Sequence, residues 1–154
     1  METVLNMNPQ TIEGLDDLVR INRDSAKGLQ RAAAAVRDPE LRSLFHDIAV
    51  DRLGFAERLA EFVALNGERA TAETSVSGLF HRWWIDLRAL LESGDAGAIL
   101  AEVERGEDRI KASYEKVLTE NPGTPLSELL HRQYAAVKRV HDRVRDMRDA
   151  RRGS

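Results

Sequence analysis

Four long amphipathic helices can be read along this chain, and each has its apolar stripe broken by a polar residue near mid-length. The interrupters are Asn22 and Ser25 on the first, Arg52 on the second, Glu107 on the third, and Gln133 with His141 at the edge on the fourth. Helices of similar length packed side by side bring their middles to one level. The expected core therefore holds a polar layer, with a cation and a carboxylate in it. That level is where helical bundles build metal and cofactor sites.

The stripes follow from helical periodicity at 100° per residue. Leu15, Leu18, Leu29, Ala33 and Val36 share a face from about Thr11 onward. Asp38-Pro39-Glu40 is a boundary, with Asp38 as N-cap and Pro39 in the first turn. The second helix carries Leu41, Leu44, Phe45, Ile48, Phe55, Leu59, Phe62 and Val63 inward, and ends at Asn66-Gly67. Residues 67–77 read as a loop. A short helix over about 78–92 places Leu79, Phe80, Trp83, Trp84, Leu87, Leu90 and Leu91 on one face. Ser93-Gly94-Asp95 stops it. The third long helix runs from about Ala96 to Thr119, with Ile99, Leu100, Val103, Ile110, Tyr114, Val117 and Leu118 as its stripe. Residues 121–125 form a loop, with Thr124 as cap and Pro125 at the first helical position. The fourth then runs to about Arg148, with Leu126, Leu129, Leu130, Val137, Val140, Val144 and Met147 inward.

Two helical hairpins joined by a long middle segment predict an all-α, ferritin-like four-helix bundle with residues 78–92 as a short crossover helix. The domain reading is a flexible tail over 1–10, one bundle domain over 11–149, and a frayed basic end over 150–154. With 154 residues, 42% of them hydrophobic, the chain is long enough for one sizeable core.

Composition narrows the function classes. There is no cysteine, which removes disulfides, thiolate zinc sites, iron–sulfur clusters and cysteine nucleophiles. The net charge of -3 gives no electrostatic case for nucleic acid. Arg139, Arg143, Arg145, Arg148, Arg151 and Arg152 make the last helix basic, but Asp142, Asp146 and Asp149 dilute the patch. No apolar run approaches the ~18–20 residues of a membrane span, and the first residues lack a signal-peptide pattern. A soluble cytoplasmic protein is expected, without membrane attachment.

Arg52 sits mid-stripe between Ile48 and Phe55, and Glu107 between Val103 and Ile110. A buried charge costs several kcal/mol, of order ~3–5, unless it is paired. The two are therefore expected to meet in the core, with Asn22, Ser25, Gln133 and His141 serving the remaining donors and acceptors. A di-metal carboxylate site needs several inward carboxylates, with Glu-x-x-His pairs on two helices. The corresponding slot on helix two reads Arg52-Leu53-Gly54-Phe55, and on helix four Lys138-Arg139-Val140-His141 or, one position earlier, Val137 to Val140. Cations and apolar groups stand where metal chemistry wants oxygen and imidazole. His46, His81 and His131 fall outside the stripes. Asp47 and Asp51, one turn apart, flank the core of helix two, where they read as exposed carboxylates at a common spacing or, alternatively, as an open metal site. No glycine-rich phosphate loop is present.

Ile21-Asn22-Arg23-Asp24-Ser25-Ala26-Lys27-Gly28, Asp38-Pro39-Glu40-Leu41, Val103-Glu104-Arg105-Gly106-Glu107-Asp108 and His141-Asp142-Arg143-Val144-Arg145 carry a resemblance. Over about residues 12–149 the chain resembles an uncharacterised bacterial domain-of-unknown-function family with a ferritin-like bundle. It is also distantly similar to rubrerythrin and bacterioferritin. The resemblance implies that Gly106-Glu107 matches the third-helix ligand glutamate of rubrerythrin. Asp24 or Ser25 then falls near the first-helix ligand and His141 near the last-helix histidine. Arg52, Phe55 and Lys138 depart from the pattern at or near the other three ligand positions. Those departures weigh against di-iron oxidase, peroxidase and iron-storage activity.

The reading is a non-catalytic bundle protein with an interaction or stress-associated role, without catalytic or cofactor-binding residues. It is expected to form a homodimer or larger homo-oligomer. Trp83 and Trp84 read first as packing the short helix onto the bundle, with an interface for a second copy or another protein partner as the alternative. The alternative is a degenerate metalloprotein that holds one metal, iron, manganese or zinc, through Glu107, His141 and either Asp24 or Asp51, with redox or storage activity.

Overall fold

The computed structural model describes residue 7 and residues 9–66, 78–119 and 126–152. The expected loops at 67–77 and 121–125, with the Thr124 cap, lie outside these residues, as do the side chains of Leu79 and Phe80. Every described element is helical: α1 (Pro9–Ala35), α2 (Pro39–Leu65), α3 (Gly78–Ser93), α4 (Ala96–Thr119) and α5 (Leu126–Arg152).

Local chemistry sets the boundaries. Only residues 36–38 separate α1 from α2, so the two helices fold back on each other and pack along their length. Asp38 starts α2 by accepting the backbone N–H groups of Glu40 (2.9 Å) and Leu41 (3.3 Å). Asn66 closes α2, and its N–H donates to the Val63 carbonyl at 3.1 Å. Between α3 and α4, Gly94 takes a φ of 73°, a left-handed conformation that a side chain would strain. Asp95 then caps α4 by accepting the Ala98 N–H at 3.1 Å. The second hairpin pairs α4 with α5, while α3 lies against α4 and α1.

The core is built from the predicted stripes. Leu15, Leu18, Leu41, Leu44, Phe45, Leu59, Leu100, Leu130, Val137 and Val144 are all fully shielded from solvent. Phe55, Phe62, Leu118, Val140 and Met147 are only partly covered and pack against that core from its margin. Small residues, Ala26, Ala32, Ala49 and Ala56, fill the close approaches.

Two termini differ from expectation. Met7, within the segment read as a tail, is buried, and its N–H donates to Asn66 Oδ1 at 2.9 Å. At the other end α5 runs on to Arg152 instead of fraying from residue 150. Arg151 there reaches Asp38 Oδ2 at 2.7 Å, tying the last turn of α5 to the α1–α2 corner.

Trp83 fixes α3. Its indole N–H donates to the Glu102 carbonyl of α4 at 2.7 Å. The ring lies against two glycines: a Cβ on Gly106 of α4 would come within 2.7 Å of it, and one on Gly28 of α1 within 3.1 Å. Both helices thus lack a side chain where the indole slots between them. At 3% exposure Trp83 packs α3 onto the bundle and presents almost no surface of its own. Trp84 remains half-buried, with the Arg31 guanidinium 5.4 Å from its ring centroid.

Candidate functional site: a polar layer inside the helices

The stripe interruptions on α2 and α4 converge. Arg52 Nη2 lies 2.5 Å from Glu107 Oε2, with the two side chains 1% and 2% exposed. Arg52 is among the largest fully buried side chains of the protein.

A second set of contacts links all four long helices. Asn22 of α1 is fully buried, and its amide donates to its own helix at the Leu18 carbonyl (2.8 Å) and to the Tyr114 hydroxyl of α4 (2.9 Å). That hydroxyl donates in turn to Gln133 Oε1 on α5 at 2.7 Å. The Gln133 amide donates to the Phe55 carbonyl of α2 at 3.4 Å. Ser25 is buried on α1, three residues beyond Asn22. Burial pushes the Tyr114 phenol up to about 12, outweighing the Asn22 hydrogen bond and the nearby Arg52 charge, which act in the opposite sense.

Tyr114 was read as a plain stripe residue. The signal that could have found it is its hydroxyl, which needs a partner when the ring is buried. It also stands seven residues from Glu107, two helical turns along the same face. Gly28 and Gly106 gave a similar signal, because an isolated glycine inside a helical pattern often marks a close approach.

His141 does not enter this layer. It lies at the α4–α5 rim, with Nε2 at 2.8 Å from Asp108 Oδ1 and 3.6 Å from Glu104 Oε1, and Nδ1 at 3.2 Å from Asp142 Oδ1. Glu104 also pairs with Arg148. The reason is angular: the edge position of His141 on α5 points between helices, toward the charged margin of α4. The Asp142 carboxyl is held below its usual range, first by its hydrogen bond with His141.

The four residues weighed as a metal set are not brought together. Glu107 is engaged by Arg52, His141 by the rim carboxylates, and Asp51 is exposed on α2. Asp24 is half-buried on α1. Among the described residues, no group of three or more His, Asp or Glu side chains is placed to hold a metal ion. The chain's single Glu-x-x-His spacing, Glu128 to His131, opens α5 with both side chains exposed. His46, His81 and Asp47 are exposed as well.

The donor chemistry of the layer is also wrong for a cation. A di-metal site needs lone pairs, whereas Arg52 presents N–H groups, and its buried Nε and Nη1 have no hydrogen-bond partner among the described residues. Among the described residues, Asn22 Oδ1 in the layer is likewise buried without one. The residues here suit a fixed ion pair and a hydrogen-bonded network, and they do not fit the metal pair that the resemblance implies.

No curated protein matches the chain. A family described as a domain of unknown function (DUF2383) matches residues 10–120, a span that runs from α1 to the end of α4 and includes Asn22, Arg52 and Glu107. On a match over that much of its length, this chain belongs to that domain-of-unknown-function family.

Proposed function

We propose that this protein is a non-catalytic, ferritin-like four-helix bundle that acts by binding or assembly, in an interaction or stress-associated role in the cytoplasm. The observation that carries the reading is the Arg52–Glu107 pair at 2.5 Å. It occupies the level at which ferritin-like bundles build a di-metal centre. A guanidinium there neutralises the carboxylate that a metal would need and repels a divalent cation. Two hairpins, α1–α2 and α4–α5, with a connection that includes α3, support the ferritin-like connectivity.

The test is metal content. The protein is purified after aerobic growth, and iron, manganese and zinc are quantified per chain for the parent and for Glu107→Ala. The reading expects no stoichiometric metal in either. Stoichiometric metal that disappears in Glu107→Ala overturns it in favour of the degenerate metalloprotein.

Self-association belongs to the same proposal. Val50 and Leu53, one turn apart on the outer side of α2, stay 55% and 39% exposed. A homodimer over α2 would cover them. Light scattering on the parent and on Val50→Glu reads this directly: a dimer that becomes monomeric is expected, and a monomeric parent sinks the idea.

A further inference from the structure

We propose that the cleft where α1 and α3 end and α2 and α4 begin is a binding site for a small organic anion with a planar aromatic body. Its phosphate or carboxylate would be held by Arg31, Arg37 and Arg88, and its ring would lie on Trp84.

The cleft has a volume of about 650 Å³, within the range of sites that take small molecules. Its floor is apolar: Leu41 and Ile99, which line it, are buried core residues. The rim carries the three arginines, all exposed. Elsewhere the protein pairs its arginines freely, as at Arg20, Arg52, Arg145, Arg148 and Arg151. Among the described residues, the guanidinium groups of Arg31, Arg37 and Arg88 have no carboxylate partner.

Two carboxylates also line the cleft, Asp38 and Glu92. Asp38 is already engaged, since its side chain caps α2 and meets Arg151 at 2.7 Å. Among the described residues that line the cleft, Glu92 is then the one carboxylate left to oppose three cations. Helix C-termini attract cations within the last turn, but Arg31 and Arg88 lie before the last turns of α1 and α3, and Arg37 lies beyond α1. That attraction does not explain why three converge on one apolar-floored cleft beside a half-buried indole.

Arginine's planar fork matches phosphate and carboxylate oxygens in pairs. Trp84 supplies the ring face, and the Arg31 guanidinium already sits 5.4 Å from its centroid. An anion without an aromatic body would leave the indole and floor unused. An aromatic neutral would leave the arginines unpaired. The site belongs to a different part of the molecule from the Arg52–Glu107 layer and does not depend on how that layer is read.

The experiment is calorimetric titration of the full chain at low salt with four probes: adenosine monophosphate, adenosine, inorganic phosphate and salicylate. At least one aromatic anion should bind saturably, about tenfold or more tighter than adenosine and inorganic phosphate. Adenosine monophosphate alone would assign a phosphate ligand, and salicylate alone a carboxylate. Arg31→Gln and Arg88→Gln should each weaken binding about tenfold, while Arg132→Gln on α5 should leave it unchanged. Trp84→Phe should weaken it as well. The proposal fails if neither aromatic anion outbinds adenosine and phosphate, or if Arg88→Gln melts like the parent yet binds equally well.

Discussion

Arg52 on α2 and Glu107 on α4 meet with Nη2 2.5 Å from Oε2, although 55 residues separate them in the chain. Neither charge could be tolerated at this depth without the other. The pair therefore works as a register lock: a slide of α2 against α4 by one turn would strand both charges in an apolar core. Truncating either residue to Ala should destabilise the fold by roughly 3–5 kcal/mol. The Arg52→Met, Glu107→Leu double variant should lose far less than the sum of the singles. Denaturant melts of the four proteins give the coupling energy, and additive losses would show that the two side chains act independently.

Gly106 and Gly54 are both helix-interior glycines, and the structure gives them opposite fates. A Cβ on Gly106 would fall 2.7 Å from the Trp83 ring, whereas one on Gly54 meets nothing within 4 Å. Gly106→Ala should destabilise by about 1–3 kcal/mol through overpacking. Gly54→Ala should stabilise by about 0.5–1 kcal/mol through helix propensity alone. Thermal melts of the two variants check this, and equal shifts of one sign would refute the seating of Trp83 on α4.

Tyr114 should make the fold sensitive to alkali. Burial raises its phenol from the ordinary 10.0 to about 12. Its stabilisation is complete below about pH 10 and is lost as the pH climbs through about 12, a span worth roughly 2–3 kcal/mol. Tyr114→Phe should remove most of that alkaline decline and lower stability at neutral pH, since Asn22 and Gln133 then lose their shared partner. The measurement is unfolding free energy against pH, alongside the tyrosinate absorbance. A Tyr114 that ionises near 10 in the folded protein would contradict it.

Asp38 serves two elements at once, capping α2 and holding the end of α5 through Arg151. Although burial pushes its carboxyl up, the backbone bond from Leu41, the Arg151 contact and the Glu40 bond together hold it below the ordinary 3.8. Its contribution is therefore present above about pH 3.8 and fades as acid protonates the folded form. Asp38→Ala should cost about 1 kcal/mol through the lost cap. Asp38→Asn should keep the cap and lose only the charge contact, so its smaller deficit should vanish at high salt. Identical melts for the two variants at low salt would rule out the α5 contact.

Helix positions and inward faces were legible because 3.6-residue periodicity, proline and aspartate signals are local. Arg52 and Glu107 could be marked as core charges by the same token, since each breaks a stripe. Tyr114 could not be told from a plain aromatic, because its role depends on Asn22 and Gln133, which lie on other helices. His141 had the right residue type for a site, but its angle on α5 turned it to the Asp108 rim. Trp83 is legible as packing the short helix onto the bundle, but its seat between Gly28 and Gly106 is not, because those glycines stand 78 residues apart in the chain.

The amino-acid sequence by itself determined an all-helical chain, its main helix boundaries and the presence of charged groups in apolar faces. Those properties arise from neighbours within a few residues, so the chain carries them before it folds. Tertiary structure alone decided which polar groups meet, which tryptophan is covered, and that Arg31, Arg37 and Arg88 line one cleft. Those outcomes depend on the rotation and offset of one helix against another, which packing selects and local pattern does not encode.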